Sequence, residues 1–226
     1  MAAIPVICGW SGGKDSALML HALRQSKTHA PALLLTTVTE NFERISMHGV
    51  RRELLLMQAE ALGMPLHEVR IPWPCPNEIY EQKMREACLM LKSQGYKTFA
   101  FGDLFLQDIR DYRNRNLAAL GLEAIYPIWG RNTKKLAHEF IDLGFKAKLC
   151  CIDSKQIDAR FSGRDYDAQL LDELPETADP CGENGEFHTF VYDGPIFSRP
   201  IACAKGEIVV RDQFVYCDLI PEKADA

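Results

Sequence analysis

No stretch of this 226-residue chain stays apolar for anything near the ~18–20 residues that span a bilayer, so a helical membrane protein is not expected. There is no surplus of positive charge either. The 26 Lys and Arg residues stand against 31 Asp and Glu, a formal net charge of −5, which speaks against a broad phosphate-backbone footprint and direct nucleic-acid binding. The eight cysteines (Cys8, Cys75, Cys88, Cys150, Cys151, Cys181, Cys203 and Cys217) form no C-x-x-C pair, so neither a zinc-ribbon spacing nor a redox dithiol is on offer. A reducing compartment suits such scattered thiols. The opening residues Met1-Ala2-Ala3-Ile4-Pro5 lack a basic segment and a signal-peptide core. Repeats and low-complexity tracts are missing too. These absences leave a soluble, cytoplasmic protein as the expectation. Apolar types make up 47% and charged types 25%, ordinary globular values at a length that holds one large α/β domain or two smaller ones.

The first half alternates short apolar runs with helical periodicity. Strands are predicted over residues 4–8, 32–38, 66–71, 98–104 and 124–129, and helices over 17–25, 50–62, 78–93 and 113–120. That rhythm predicts βαβ units, hence a doubly wound, five-stranded parallel sheet. A helix over 134–143 and a strand over 147–152 continue it. After Asp165 the chain turns rich in Gly and Pro, with β-type runs at 187–192 and 208–217. The expected architecture is α/β over residues 1–130 with a smaller α+β domain over 131–226, and a tail at 221–226 that frays.

Ser11-Gly12-Gly13-Lys14-Asp15-Ser16 follows the first strand and opens the first helix. Glycine lets the backbone turn tightly and bring its N–H groups against phosphate oxygens. The helix adds N-terminal donors and the positive end of its dipole. Lys14 brings a point charge, Ser11 and Ser16 bring hydroxyls, and Asp15 can cap the helix or help hold Mg2+. The loop is not a Walker A, which needs Gly where Cys8 stands and Ser or Thr where Asp15 stands.

This S-G-G-K-D-S loop resembles the PP-loop of the ATP pyrophosphatases, which implies an adenine nucleotide alpha hydrolase-like fold, ATP as substrate and AMP and pyrophosphate as products. Gly102-Asp103-Leu104, the segment Asp108 to Arg113 and Tyr126-Pro127-Ile128-Trp129-Gly130-Arg131 are similar to the diphthine–ammonia ligase branch. So is Gly182-Glu183-Asn184-Gly185-Glu186-Phe187-His188-Thr189, although His188 stands where that branch has an acid. The resemblance implies a carboxylate substrate, carried by translation elongation factor two, which is adenylated and then amidated by ammonium, with a homodimer as one possible assembly. It places ATP on Ser11 to Ser16, His48, Gly102, Asp103 and Arg110, metal on Asp15, and catalysis on Lys14, Asp15, Glu183, Glu186 and His188.

Alternatives stay open. Glu186 and His188 share a strand face and so a pocket wall, yet His188 is either a hydrogen-bonded structural residue or an acid–base group. As the latter it would titrate between about pH 5.5 and 7.5. Arg110, Arg113, Arg115, Arg131, Lys134 and Lys135 are either a solvated face or a source of phosphate ligands. Tyr126 and Trp129 read as core or domain-junction residues. The acceptor is diphthine or a small, corrinoid-related carboxylate, and a non-enzymatic nucleotide-binding protein is the rival class. Lys14→Ala is expected to remove a charge-assisted contact of about 1.5–3 kcal/mol. Calorimetry should then read ATP affinity lower by about ten- to a hundredfold.

Overall fold

Alternate residues of the first strand, β1 (Ile4–Gly9), are buried on opposite faces: Val6 and Cys8 in one core, Ile7 in another. A strand covered on both sides needs helices above and below it. The structure, a computed structural model, describes residues 2–222. In it α1 (Lys14–Arg24) and α2 (Arg52–Leu62) cover one face, while α3 (Asn77–Ser93) and α4 (Gln107–Ala118) cover the other. Five parallel strands lie between them: β1, β2 (His29–Thr39), β4 (Leu66–Ile71), β5 (Thr98–Ala100) and β6 (Glu123–Ile125). Their spatial order is β4-β2-β1-β5-β6. The winding direction therefore reverses between β1 and β5, where open α/β sheets leave a crevice at the strand C-termini.

The doubly wound reading is borne out, with corrections at its edges. A two-residue strand, β3 (Arg44–Ile45), pairs antiparallel with the end of β2 and makes the sheet six-stranded. The strand expected over 98–104 stops at Ala100. Gly102 passes so close to the first turn of α1 that a Cβ there would stand 2.7 Å from the Asp15 carbonyl oxygen, and the chain leaves the sheet to make that pass. The strand expected over 124–129 stops at Ile125, since Pro127 has no N–H to give and Trp129 N–H turns back onto the Tyr126 carbonyl. Helix α4 starts at Gln107 rather than residue 113. Its first turn is too polar to show periodicity, and Gln107 Nε2 donates to Asp111 Oδ1 at 2.7 Å one turn on.

The second half builds an antiparallel sheet ordered β8-β7-β10-β9 from β7 (Lys146–Asp153), β8 (Phe187–Asp193), β9 (Cys203–Arg211) and β10 (Phe214–Pro221). The single run expected at 208–217 is two strands, joined by a turn in which Asp212 takes φ +53°. No glycine marks that turn; aspartate tolerates the left-handed region. Helices α5 (Thr133–Asp142) and α6 (Ala168–Glu173) flank this sheet. Pro221 closes β10, and the rest of the expected frayed tail, 223–226, lies outside the described residues. Phe140, Phe187 and Phe190 belong to the same continuous core as Leu18, Met19 and Leu54 of α1 and α2, so the second sheet is packed onto one face of the first.

One buried side chain ties that junction. Gln58, fully buried on α2, accepts from Trp10 Nε1 at 3.0 Å and donates to the carbonyls of Gly12 (3.0 Å) and Val191 (2.6 Å). Gln58→Leu keeps the volume and strips partners from buried polar groups. It should lower unfolding free energy by about 2–4 kcal/mol, at roughly 1–3 kcal/mol per abandoned group, as read from urea denaturation.

Candidate functional site

The glycine-rich loop spans the end of β1 and the start of α1, at the reversal point of the sheet. Gly12 sits at φ +76°, and a Cβ there would meet Gln58 Oε1 at 2.7 Å. At Gly13 it would meet the Thr189 carbonyl oxygen at 3.0 Å and the His48 ring at 3.2 Å. Both glycines are therefore required by close approach. Strand β8 runs against the loop, with Val191 N–H donating to the Gly12 carbonyl (2.9 Å) and Lys14 N–H donating to Thr189 Oγ1 (3.0 Å). Thr189 thus meets one first-turn donor that a helix cannot satisfy by itself.

A cleft of about 360 Å³ opens here, lined by both halves of the chain. Ser11, Lys14, Asp15, Ser16, His48, Gly102, Asp103, Glu183 and His188 all line it, although they lie far apart in sequence. Lys14 is buried; its Nζ donates to Asp15 Oδ2 at 2.8 Å and lies 5.5 Å from the centroid of the Phe187 ring. Burial works against the Lys14 charge, but Asp15, Cys181 and Glu183 together outweigh it and the ammonium is held above its ordinary range. Burial pushes the Asp15 carboxyl up, against the pull of Lys14. Asp15 Oδ1 and Asp103 Oδ2 are buried with no hydrogen-bond partner. Arg113 Nε stands 3.2 Å from Asp103 Oδ2 as an ion pair, but out of line for a hydrogen bond.

Four predicted residues do not line the cleft: Gly12 is packed against Gln58, Gly13 against Thr189 and His48, and Glu186 and Arg110 make other contacts. Glu186 is buried and its carboxylate accepts from Asp179 N–H (2.7 Å), Asn184 N–H (2.9 Å) and Asn184 Nδ2 (3.1 Å), so it braces the loop 179–186 rather than lining the cleft. It precedes β8, and the strand-face argument that joined it to His188 does not reach it. Arg110 stacks its guanidinium 4.4 Å over Trp129 and 5.0 Å over Tyr126, away from the cleft. Of the basic cluster Arg113 lines the cleft, whereas Arg131 pairs with Glu139. Cys181 is buried, its thiol pushed up to about 12 by burial and donating to the Thr133 carbonyl at 3.3 Å. Phe187, Thr36 and Thr37 also line the cleft, and the sequence does not single them out as site residues. Only the rule that ligands sit at strand C-termini could have flagged the two threonines.

Two imidazoles form one wall. The His48 and His188 rings lie 4.5 Å apart, tilted by 31°. His48 Nδ1 is 3.3 Å from the Thr189 carbonyl oxygen, which can only accept, so that nitrogen carries the proton. Burial, and then the charge of Lys14, pushes His188 down to about 4, while burial and His188 hold His48 well below its ordinary value. The titration expected of His188 near neutrality is thereby removed to acid pH. Glu183 takes that place. Burial raises its carboxyl to about 7, although its Oε1 accepts from Leu104 N–H at 2.7 Å.

Family models for the diphthamide synthase N-terminal and C-terminal domains match residues 4–123 and 132–223. The chain belongs to the diphthamide synthase family. Among the relatives of that family, the diphthine–ammonia ligase of Schizosaccharomyces pombe is 22% identical over 92% of this chain, which spans 38% of that protein's length. The diphthine–ammonia ligase of Homo sapiens is 24% identical over 88% of this chain and 83% of its own. A solved structure described as a predicted subunit of tRNA methyltransferase from Methanocaldococcus jannaschii is 20% identical, covering 65% of this chain and 78% of its own at a TM-score of 0.41. Among the described residues no helix is long and apolar enough to cross a membrane.

Glu183 makes stability depend on pH. Its folded pKa of about 7 exceeds the ordinary 4.5, so the folded state holds the proton longer. Its contribution is fully present below about pH 4.5 and is lost as pH rises through about 7. Urea midpoints should show wild type losing ground to Glu183→Gln across that window, while His188→Gln leaves the trend in place.

Proposed function

We propose that this chain is an ATP-dependent, AMP-forming ligase that adenylates a substrate carboxylate and amidates it with ammonium. The observation that carries the reading is the Lys14–Asp15 pair on the glycine-lined turn at the sheet's reversal point, with Asp15 Oδ1 buried and unpartnered. Residues 1–130 serve as the ATP-binding domain and 131–226 as the acceptor-binding domain. Ser11, Gly12, Gly13 and Ser16 cradle the phosphates through backbone N–H groups and hydroxyls. His48, Gly102 and Asp103 bound the nucleotide. Asp15 would hold Mg2+ through its free oxygen, a hard donor of the kind that ion takes. When bound, Mg2+ offsets charge on the departing phosphates.

In the first step a carboxylate oxygen attacks the α-phosphorus of ATP, the new O–P bond replacing the bond to pyrophosphate. Lys14, its charge maintained by Asp15, stabilises the leaving group where charge accumulates. In the second step the ammonia nitrogen attacks the acyl carbon, the C–O bond to AMP breaks, and the nitrogen sheds a proton. The neutral imidazoles of His48 and His188 line the cleft where that proton is released. Glu183, whose carboxyl burial raises to about 7, is the acceptor of that proton, whereas Glu186 supports the loop that carries Glu183.

The acceptor follows from the wall. The diphthine–ammonia ligase relatives support diphthine on translation elongation factor two. A small carboxylate is the second reading, favoured by His188, an uncharged imidazole at a position where the branch has an acid. The decisive measurement is AMP and pyrophosphate release with and without ammonium. A ligase releases both in equal amounts and depends on ammonium and an acceptor. ATP retained without turnover under every acceptor would overturn the reading in favour of a nucleotide-binding protein. Asp15→Asn should cut turnover and raise the Mg2+ concentration needed for half of it, with ATP binding in Mg2+-free buffer much less affected.

A further inference from the structure

Among the described residues, strand β9 has β10 as its one neighbour and forms an edge of the antiparallel sheet. Ile208, Val209 and Val210 follow one another on it and stand 54%, 36% and 66% exposed. An open edge with apolar side chains is a template for another strand, and edges that stay bare usually carry charge or proline in their place. The turn at Asp212 and Gln213 closes on the pair Arg211–Phe214, which exchanges hydrogen bonds across the hairpin. By alternation Val209 bonds to Tyr216, and the N–H and C=O groups of Ile208 and Val210 point away from β10. The register slips between Cys217 and Leu219, a bulge that ends the regular run at Glu207. An incoming strand therefore meets the stretch Glu207 to Arg211. Val209 and Arg211 share the face that carries Tyr216, where they line an aromatic pocket with Phe42, Trp73 and Tyr216. Ile208 and Val210 project on the other face, beside the buried Cys217 and Val215 of β10.

We propose that this edge pairs with the same edge of a second copy of the chain, antiparallel and centred on Val209. Charge and symmetry carry the inference. Glu207 and Arg211 stand at the two ends of the run, and neither has an ion-pair partner among the described residues. A two-fold axis at Val209 sets Glu207 of each copy opposite Arg211 of the other, and Ile208 opposite Val210. Both ion pairs and both apolar pairs form together, and the outward backbone groups of Ile208 and Val210 bond across the axis. Neighbouring registers lose this match. Centring on Ile208 sets Lys205 against Arg211 in both halves, and centring on Val210 leaves Glu207 facing the turn. A run complementary to its own reverse fits a second copy, whereas a strand from another protein imposes no such symmetry.

Sedimentation velocity with the whole chain, across micromolar concentrations, should show a monomer–dimer equilibrium. Glu207→Arg and Arg211→Glu, both at exposed positions, each set like charges opposite one another at both ends. Each should raise the dimer dissociation constant by about tenfold or more. Mixed in equal amounts, the two variants should dimerise with each other about as wild type does, because every facing pair regains opposite signs. Val210→Pro removes an outward N–H, spares the bonds to β10 and should abolish the dimer, with urea midpoints confirming that the variants fold. A wild-type chain that stays monomeric, a dimer indifferent to both charge reversals, or a mixture that associates no better than its components would overturn the proposal.

Discussion

The seam between the glycine-rich loop and strand β8 is the constraint on which the rest depends. Gln58, Thr189 and Val191 all bond to the short stretch from Trp10 to Lys14, so the loop is held in place by residues that arrive much later in the chain. Without those bonds the loop's buried polar groups would lack partners, and a buried unpaired group costs more than an ordinary hydrogen bond returns. The two sheets therefore meet where the chemistry is expected, and the cleft exists only as long as they do. Gly12 and Gly13 permit this approach; any side chain there would push β8 or Gln58 away.

The same seam sets the electrostatics. Bringing β8 against α1 buries Lys14 and half-buries Asp15 beside it, and it carries His188 over to His48. Burial acts in opposite directions on these groups. It raises the carboxyls of Asp15 and Glu183, drives the imidazoles toward neutrality, and works against the Lys14 charge, which Asp15 together with Cys181 and Glu183 maintains. Two cations, Lys14 and Arg113, thus line the cleft beside neutral imidazoles, an arrangement that suits anionic ligands.

Much of this was legible beforehand. Periodicity located α2, α3 and β4 closely, because those elements are long or strongly patterned. The loop Ser11 to Ser16 announced its position by glycine content and by the strand and helix on either side. Legibility failed where polarity hid an element, as in the first turn of α4, and where a turn lacked glycine, as at Asp212. Residue types alone also misplaced Arg110 and Glu186. Arginine stacks on aromatics as readily as it binds phosphate, and a carboxylate can serve its own loop, so only neighbours decide between such roles.

The sequence by itself determined the doubly wound sheet, the phosphate-type loop and the family resemblance, since each rests on short-range patterns of apolar spacing and glycine. Tertiary structure decided which of the distant charged residues meet. It selected Arg113 over Arg110, moved the near-neutral titration from His188 to Glu183, and opened an aromatic pocket from Phe42, Trp73 and Tyr216, which lie on three separate segments. The physical reason is that burial and through-space charge depend on packing between the two sheets, and no local pattern encodes that distance.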